Sequence, residues 1–409
     1  MRQWDKNLRG AIVLCFSSNI LCFMDRVNIS IAAPAMVQEF GWSETQMGFV
    51  FSAFFVGYVV FMIPGGVLAD RFGARRVLAS GVAFWSLFTV LTPFTRGLWS
   101  LAACRYLVGT GQGLNFPCVN NLIANHVPLT DRAKVQGFVL SGITVGSVIA
   151  LPLGSWIVQN WGWPAVFYVF GLSGLLWIGP WLRYASALQS NATHTPARRS
   201  EHIPWRIFLT NRSTLGLTLS YYCHNYASYF ILAWLPTYLI KVHGFSMTGM
   251  GIGAALPALA ATIGMNVSGL TADHLIARGR TRQFSLKLMV GVGMGGSALF
   301  LLALVWTRNA YMAVIWVILS AGIKSLSTPA YWTLSMEMAP RHAGILSSIM
   351  NTSGNLAGVV APVLSGFLVA SGGGWNTAIL VAVGVTLLGV AIALPTVSAA
   401  EVSPAPEHF

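Results

Sequence analysis

The chain has 409 residues, of which 55% are hydrophobic and only 9% are charged, with a formal net charge of +13. A soluble domain carries about 25% charged residues, so this composition excludes a soluble globular protein and indicates a chain that crosses the membrane many times. The net positive charge would suggest a nucleic-acid partner in a soluble protein. Here it maps to loops on one side of the membrane, so we expect a lipid bilayer and no nucleic acid as partner.

Windows of about 20 apolar residues predict twelve transmembrane helices, an all-α membrane protein. In chain order they are 10–34, 45–68, 77–95, 100–124, 135–158, 164–184, 214–240, 248–272, 285–306, 310–336, 343–369 and 375–396. A polar interval rich in Arg, Ser, Thr and His divides them into two groups of six. The predicted organisation is a six-helix bundle at 1–184, a cytoplasmic central loop at 185–212, a second six-helix bundle at 213–398 and a cytoplasmic tail at 399–409.

Basic residues lie mainly before the first span and after the second, fourth, sixth, eighth and tenth. By the positive-inside rule both termini are therefore cytoplasmic. The first apolar stretch runs past any plausible cleavage site, which predicts a retained helix of a multi-pass protein in the cell (inner) membrane. The five cysteines lie in apolar segments without metal-site spacing, so we expect neither a disulfide framework, a metal nor a cofactor.

Two ionisable residues, Asp25 and Arg26, lie within the first predicted span. Ionised side chains at that depth are costly; they usually face a water-filled cavity or each other, and they mark the path of a substrate or ion. The alternative is a pair at the helix end that extends to the lipid headgroups. We favour the first interpretation, a buried site that handles an anion and a proton.

A loop after the second span recurs after the eighth, which predicts a parallel duplication. Each copy places an aspartate and basic residues where a helix ends close to a neighbour. The residues concerned are Asp70, Arg71 and Arg75 within 66–76, and Asp273 within the second copy, which starts at 269. We expect each aspartate to contact basic side chains or a helix N-terminus, forming a latch that can open. Simple positive-inside topology is the alternative.

Further charges are predicted inside the membrane at Arg105 and Lys324. Three buried cations then face one carboxylate, and an anionic substrate would offset that imbalance because arginine donates paired hydrogen bonds to carboxylate or phosphate. Gln112 lies on the same helix face as Arg105, two turns deeper. An interfacial Arg105 and a Lys324 that extends to the surface are the alternatives. Glu337 is expected near the cytoplasmic end, beside Arg341.

Polar side chains also line the seventh and eleventh predicted spans. Tyr222 and Tyr226 share a helix face and could donate hydrogen bonds to a hydroxylated anion, although an interfacial aromatic belt is an equal alternative. His224 could carry a proton near the path. Asn355 is a buried amide that needs a partner, either a substrate or a neighbouring helix.

These motifs resemble those of the major facilitator superfamily, and the chain is similar throughout its length to the anion:cation symporter family. The signature loop G-x-L-a-D-r-x-G-r-[kr] matches 66–76, and the D-R-x-N-[IL]-S segment matches 25–30. Supporting matches lie at 162–168, 234–238 and 354–358. The resemblance implies two six-helix bundles that rock about a site at the bilayer midplane, usually in a monomer.

Carried onto this sequence, the resemblance makes Arg26 and Arg105 ligands of a substrate carboxylate and Asn355 a polar ligand. It makes Asp25 a proton carrier coupled to Arg26. Gln112 departs from the pattern, because proton-coupled members have a glutamate there, and glutamine cannot titrate. Proton symport through Asp25 alone and transport driven by membrane potential both remain open.

The sequence therefore predicts a secondary active transporter of an organic anion of the carboxylate or sugar-acid type, working by proton symport and alternating access. The alternatives are a potential-driven organic anion or nucleotide transporter and a transporter-like membrane sensor. An enzyme is not expected, because the sequence has no nucleotide loop, nucleophile elbow or metal-ligand cluster.

Overall fold

The computed structural model describes residues 6–186, 208, 210–339 and 343–398, which form helices and short turns with no strand among them. The helices of the first half are α1 (Lys6–Phe40), α2 (Glu44–Phe72), α3 (Ala74–Leu91), α4 (Leu98–Gly113), α5 (Asn115–His126), α6 (Leu129–Trp161) and α7 (Trp163–Ser186). Those of the second half are α8 (Arg212–Lys241), α9 (Met247–Ala277), α10 (Arg282–Val305), α11 (Ala310–Lys324), α12 (Ser327–Met338), α13 (Ala343–Leu368) and α14 (Gly374–Thr396).

The helices form two compact units. Unit 1 is Met1–Arg198 with Phe245–Ala255, and unit 2 is Arg199–Gly244 with Leu256–Phe409. Within unit 1, α2 packs along α4 and α1 packs along α6. Within unit 2, α8 packs along α13 and α10 packs along α14. Most of the predicted central loop and the whole tail at 399–409 lie outside the described residues.

Nine helical stretches of the described chain are long and apolar enough to cross a membrane. One of them, Ile345–Thr396, covers α13 from Ile345 onward and all of α14, and the two helices are separated by a turn where Gly372 has φ +89°. The two other predicted crossings are α4 with α5, which are short, and α8, which carries several tyrosines, a histidine and an asparagine. These two crossings are less apolar than the others because they carry polar side chains, several of which belong to the candidate site.

Polar caps fix the residues at which several crossings begin. Ser43 precedes α2 and exchanges hydrogen bonds with Gln46, each side chain accepting from the other's backbone N–H. Asn211 before α8 and Asn309 before α11 each accept hydrogen bonds from two N–H groups of the first turn. These bonds satisfy backbone donors that a membrane helix would otherwise leave without a partner.

The fourth crossing of each half is interrupted at a corresponding place. Between α4 and α5, the N–H of Leu114 donates to Gly111 O, and between α11 and α12 the N–H of Leu326 donates to Ile323 O. These three-residue bonds tighten the helix locally. The hydroxyls of Ser325 and Ser327 also bond back to carbonyls of their own turn, which competes with the helical ladder. Interrupted helices at corresponding positions of two repeats commonly mark the binding site of a transporter.

Glycines let the second and fourth crossings of each half approach closely. A Cβ on Gly109 of α4 would lie 2.0 Å from Phe54 O of α2, and one on Gly57 of α2 would lie 2.1 Å from Tyr106 O. In unit 2, a Cβ on Gly264 would lie 2.1 Å from Gly322 O. The same small-residue contact thus recurs in both units, in agreement with the predicted duplication.

Candidate functional site

Asp25 and Arg26 lie near the middle of the 35-residue helix α1. Asp25 is fully buried, and Arg26 is 7% exposed. Neither residue is near a helix end from which it could reach lipid headgroups. The structure therefore places this pair inside unit 1, as the site interpretation requires.

Aromatic rings surround the guanidinium of Arg26. Its Cζ lies 4.5 Å from the ring centre of Phe23, 4.7 Å from Tyr58 and 5.2 Å from Phe54. Such distances permit cation–π attraction, which is strongest where water is excluded. Arginine suits this environment because its delocalised charge is weakly hydrated and its plane stacks on rings. The rings thus hold a positive charge at membrane depth.

The carboxylate of Asp25 accepts hydrogen bonds from two neutral donors. Trp85 Nε1 on α3 donates to Oδ2 at 3.2 Å, and Asn28 Nδ2 donates to Oδ1 at 3.4 Å. Trp85 is itself fully buried. These bonds fix the orientation of the carboxylate in unit 1.

Asn28 also connects Asp25 to Arg105. Arg105 Nη1 on α4 donates to Asn28 Oδ1 at 3.3 Å and to the backbone carbonyl of Asp25 at 3.3 Å. Arg105 is 1% exposed, and its buried Nε has no hydrogen-bond partner among the described residues. An unsatisfied donor on a buried guanidinium is costly, and an anion is the partner it fits best.

Gln112 binds the backbone of α1 one turn before Asp25. Its Nε2 donates to Cys22 O at 3.0 Å, and Cys22 Sγ donates to its Oε1 at 3.1 Å. Both ends of the amide therefore join α4 to α1. The predicted role of Gln112 as a substrate ligand stays a prediction, while these contacts give it a packing role.

In unit 2, Lys324 lies at the C-terminal end of α11, beside the interruption of the crossing. It is 7% exposed, and its Nζ donates to Ser228 Oγ and to His224 O at 3.5 Å. A helix C-terminus favours a cation. The only acidic residues of unit 2 in the described chain are Asp273, which is exposed, and Glu337.

His224 on α8 contacts the first turn of α12. Its Nδ1 lies 3.0 Å from Ser327 Oγ and its Nε2 lies 3.3 Å from Thr328 Oγ1. The imidazole stacks on Tyr221 with ring centres 5.6 Å apart, and Tyr331 packs against it at 5.4 Å. The imidazole of His224 is thus held by α12, while Lys324 at the end of α11 donates to the His224 carbonyl.

The tyrosines of α8 are divided between the core and a polar contact. Tyr226 is 1% exposed, which places it inside unit 2 and not in a lipid-facing belt. Tyr222 is half-buried against the hydrophobic core of the unit. Tyr229 donates to Asn355 Oδ1 at 2.7 Å, and Asn355 Nδ2 donates to Asn351 O at 2.8 Å. Asn355 therefore has a helix–helix role between α8 and α13.

The predicted latch loops make different contacts from those expected. Asp70 accepts a hydrogen bond from Asn121 Nδ2 on α5 at 2.7 Å, since α5 runs beside the end of α2. Arg71 is exposed and lies over the ring of Phe72. In unit 2, Asp273 is exposed, and Arg282 forms an ion pair with Glu337. Arg341, the expected partner of Glu337, lies outside the described residues.

A corresponding contact fixes the C-terminal end of the sixth crossing in each half. Arg75 Nη2 donates to Leu182 O of α7 at 3.2 Å, and Lys287 Nζ donates to Leu394 O of α14 at 2.7 Å. In both units a basic side chain near the start of one helix therefore binds a carbonyl in the last turns of another, as helix C-termini favour.

Several side chains that shape the site were not singled out from the sequence. Asn28 carried a signal, because a polar residue three positions after Asp25 shares its helix face. Phe54, Tyr58 and Trp85 carried none, since aromatic residues are ordinary in apolar helices. Among the described residues, no group of three His, Cys, Asp or Glu could hold a metal ion.

Comparison with known proteins gives three findings. The sequence profile of the Major Facilitator Superfamily matches residues 15–361 and, in a second alignment, 281–408. The chain is 35% identical to the protein named "Ascorbate transporter, chloroplastic" of Arabidopsis thaliana, in an alignment that covers 93% of this chain and 73% of that one. It is 30% identical to the probable sulfoacetate transporter SauU of Cupriavidus necator, in an alignment that covers 90% of this chain and 89% of that one.

A similar fold is found among solved structures. A bacterial homologue of the human lysosomal transporter Spinster, in an inward-facing and unoccupied conformation, superposes with a TM-score of 0.81. The alignment covers 95% of this chain and 97% of that one at 19% sequence identity. At this identity the likeness concerns the fold alone.

Proposed function

Because the chain belongs to the Major Facilitator Superfamily, we propose that it is a secondary active transporter of a small anion, driven by an ion gradient. The observation that carries this proposal is the pair of buried arginines in unit 1, Arg26 and Arg105, alongside a single buried carboxylate, that of Asp25. The relatives named as ascorbate and sulfoacetate transporters support an anionic substrate. The protein is not an enzyme.

Arg105 is the principal ligand of the anion. Its Nη1 is held by Asn28 and the Asp25 carbonyl, while its buried Nε remains available among the described contacts. A guanidinium fixed at one nitrogen presents its remaining donors in a known orientation, which suits a carboxylate, sulfonate or phosphate. Arg26 supplies a second positive charge nearby, since both guanidiniums lie over the ring of Phe54.

Lys324 provides an anion-binding charge in unit 2. It is buried with hydroxyl and carbonyl partners and no acidic partner within the membrane-spanning part of the described unit. A buried ammonium without a counter-ion is unfavourable, so a bound anion would stabilise it. Tyr222, Tyr226 and Asn355 contribute hydrogen-bonding groups to the same unit.

Asp25 carries the coupled proton. When the carboxylate is ionised it accepts from Trp85 and Asn28, and protonation removes one acceptor position and adds a donor. Asn28 is the shared partner of Asp25 and Arg105, so a change at the carboxylate reaches the anion ligand through a single amide. This is a specific route for coupling proton uptake to anion binding.

Alternating access would then involve the loops at Asp70, Arg71, Arg75 and Asp273 as gates on the cytoplasmic side. We place the protein in a cell membrane, with both termini cytoplasmic, as a monomer. The Cupriavidus relative is a bacterial protein, whereas the Arabidopsis relative is named as chloroplastic.

Uptake into proteoliposomes tests the proposal. Labelled sulfoacetate, ascorbate, phosphate, tartrate and a sugar acid are each offered with a pH gradient alone and with a membrane potential alone. We expect uptake of at least one anion, lost in Arg105→Met and retained in Arg96→Met, which removes an exposed arginine of the same unit. Normal uptake by Arg105→Met would contradict the site.

The driving force separates the two candidate mechanisms. Uptake that follows the pH gradient and loses concentrative power in Asp25→Asn supports proton symport. Uptake that follows only the potential supports the alternative, a potential-driven anion transporter. In that case Asp25 serves as a structural partner, and Gln112, which cannot titrate, accounts for the absence of proton coupling. Binding without transport of any anion would favour a sensor.

A further inference from the structure

Phe54 on α2 lies close to both arginines of unit 1. The Cζ of Arg105 is 5.0 Å from its ring centre, and the Cζ of Arg26 is 5.2 Å from the same point. Phe54 is 1% exposed, so water does not screen these contacts. One aromatic ring is therefore shared by two guanidiniums that come from different helices, α1 and α4.

The position of the Phe54 ring is fixed by its surroundings. Its backbone carbonyl touches α4 at Gly109, where no Cβ fits. Its ring meets Phe55 edge-on, with centres 5.1 Å apart, and lies nearly parallel to Tyr58, with centres 6.0 Å apart. Gly109 follows Arg105 by one helical turn, so the contact that fixes Phe54 also fixes the helix that carries Arg105.

Two like charges close together in an apolar environment repel each other strongly. The negative electrostatic potential over the face of an aromatic ring attracts a cation and partly offsets this repulsion. An aliphatic side chain of similar size could fill the same space but would offer no such attraction. The shared ring thus stabilises both guanidiniums near one point.

We propose that Phe54 is the positioning residue of the anion site: its ring holds the guanidiniums of Arg26 and Arg105 in the arrangement that binds the substrate anion. This inference deepens the proposed function and rests on it for the transport readout. Phe54 does not contact the anion in this proposal. It acts through the two arginines, and its effect follows the electron density of the ring.

Fluorination of the ring provides the test. Replacing Phe54 by mono-, di- and trifluorinated phenylalanine withdraws electron density from the face stepwise with little change of shape. We expect the KM for sulfoacetate, or for phosphate if that anion is the better substrate, to rise with each fluorine and to reach about tenfold with three. The maximal rate should stay within about twofold. Phe54→Leu should show at least the same rise in KM.

The matched control is Phe167 of α7, a buried ring that packs edge-on against Trp163 in the same unit. Fluorination at position 167 should leave the KM unchanged. A KM that is the same for all fluorinated forms at position 54 would overturn the inference, because a ring that acts only by its shape cannot respond to electron withdrawal.

A second measurement needs no substrate. Thermal unfolding of the purified protein is compared for Phe54 and its trifluorinated form, in the wild type and in Arg26→Met, Arg105→Met and the double variant. We expect trifluorination to lower the Tm in the wild type, to lower it less in each single variant, and to leave it unchanged in the double variant. An equal decrease in all four backgrounds would refute a shared cation–π contact.

The two measurements separate the inference from the proposed function. If no anion is transported but the decrease in Tm depends on both arginines, Phe54 positions the guanidiniums and the proposed substrate class is wrong. If anions are transported and the decrease does not depend on the arginines, the function stands and the role of Phe54 is refuted.

Discussion

Replacing Asn28 by alanine should weaken anion binding strongly. The side chain makes one hydrogen bond to the Asp25 carboxylate at 3.4 Å and one from Arg105 at 3.3 Å. Hydrogen bonds to charged groups contribute about 1.5–3 kcal/mol, and lengths above 3.2 Å put both at the low end. Their sum, about 3 kcal/mol, corresponds to a rise in KM of about 100-fold if Arg105 loses its productive orientation.

The assay is the initial rate of sulfoacetate or phosphate uptake into proteoliposomes against anion concentration, normalised to folded protein. The matched control is Ser30→Ala. Ser30 is a buried polar residue of the same helix, and its Oγ donates to Val27 O within α1. The KM of the Ser30→Ala variant should therefore stay within about twofold of the wild type. Asn28→Asp should be more severe than Asn28→Ala, because a second carboxylate would compete with the anion for Arg105.

A KM for Asn28→Ala within about twofold of the wild type would refute this reasoning, since it would mean that neither Asp25 nor Arg105 depends on the shared amide. A large loss of folded protein with an unchanged KM in the remainder would assign Asn28 to stability alone. In that case the proposed route from Asp25 to Arg105 would be wrong.

Three further outcomes follow from the described contacts. Gly109→Ala should abolish recovery of folded protein by size-exclusion chromatography, because its Cβ would lie 2.0 Å from a backbone oxygen, whereas Gly295→Ala, with nothing within 4 Å, should not. Trp85→Phe removes a donor from ionised Asp25, so accumulation driven by a pH gradient should fall while counterflow exchange of labelled anion persists. Lys324→Met removes one buried positive charge, and the preference for the dianion sulfoacetate over the monoanion isethionate, measured by competition, should fall about tenfold or more.

The burial of the charged residues could be predicted because charge is rare inside a membrane. Asp25, Arg26, Arg105 and Lys324 each interrupt an apolar window, and all four are buried in the structure. An ionised group in lipid is so costly that a charged residue within an apolar stretch can be recognised from a single sequence. The family and the all-α membrane fold were also predicted correctly, because apolar length and loop motifs are local signals that a single sequence carries.

The partners of these charges could not be predicted. Phe54 is one of several phenylalanines in α2, and no periodicity distinguishes it from Phe51 or Phe55. Its role depends on Gly109, 55 positions later, which brings α4 to its carbonyl. Gln112 illustrates the reverse case. Its position on the face of Arg105 predicts a ligand, which stays a prediction, and gave no sign that its amide binds the backbone of α1.

The interruptions of the fourth and tenth crossings had sequence signals that a long apolar window averages out. Gly109, Gly111 and Gly113 precede the first, and Ser325 and Ser327 lie at the second. Glycine lowers the local helix propensity, and serine hydroxyls compete for backbone carbonyls. A window of about 20 residues measures whether a segment can cross the membrane, not whether it does so as one continuous helix.

The two units share features of helix geometry and packing but differ in the charged side chains placed around them. Each has an interrupted fourth crossing, a glycine contact to the second crossing and a basic side chain bound to the end of the sixth. The cation, however, stands on the first segment of the interrupted crossing in unit 1, as Arg105, and at the interruption itself in unit 2, as Lys324. The close helix contacts depend on the small residues in both units, whereas the charged positions differ between the units. Substitutions at the charged positions should therefore alter which anion is transported before they alter stability.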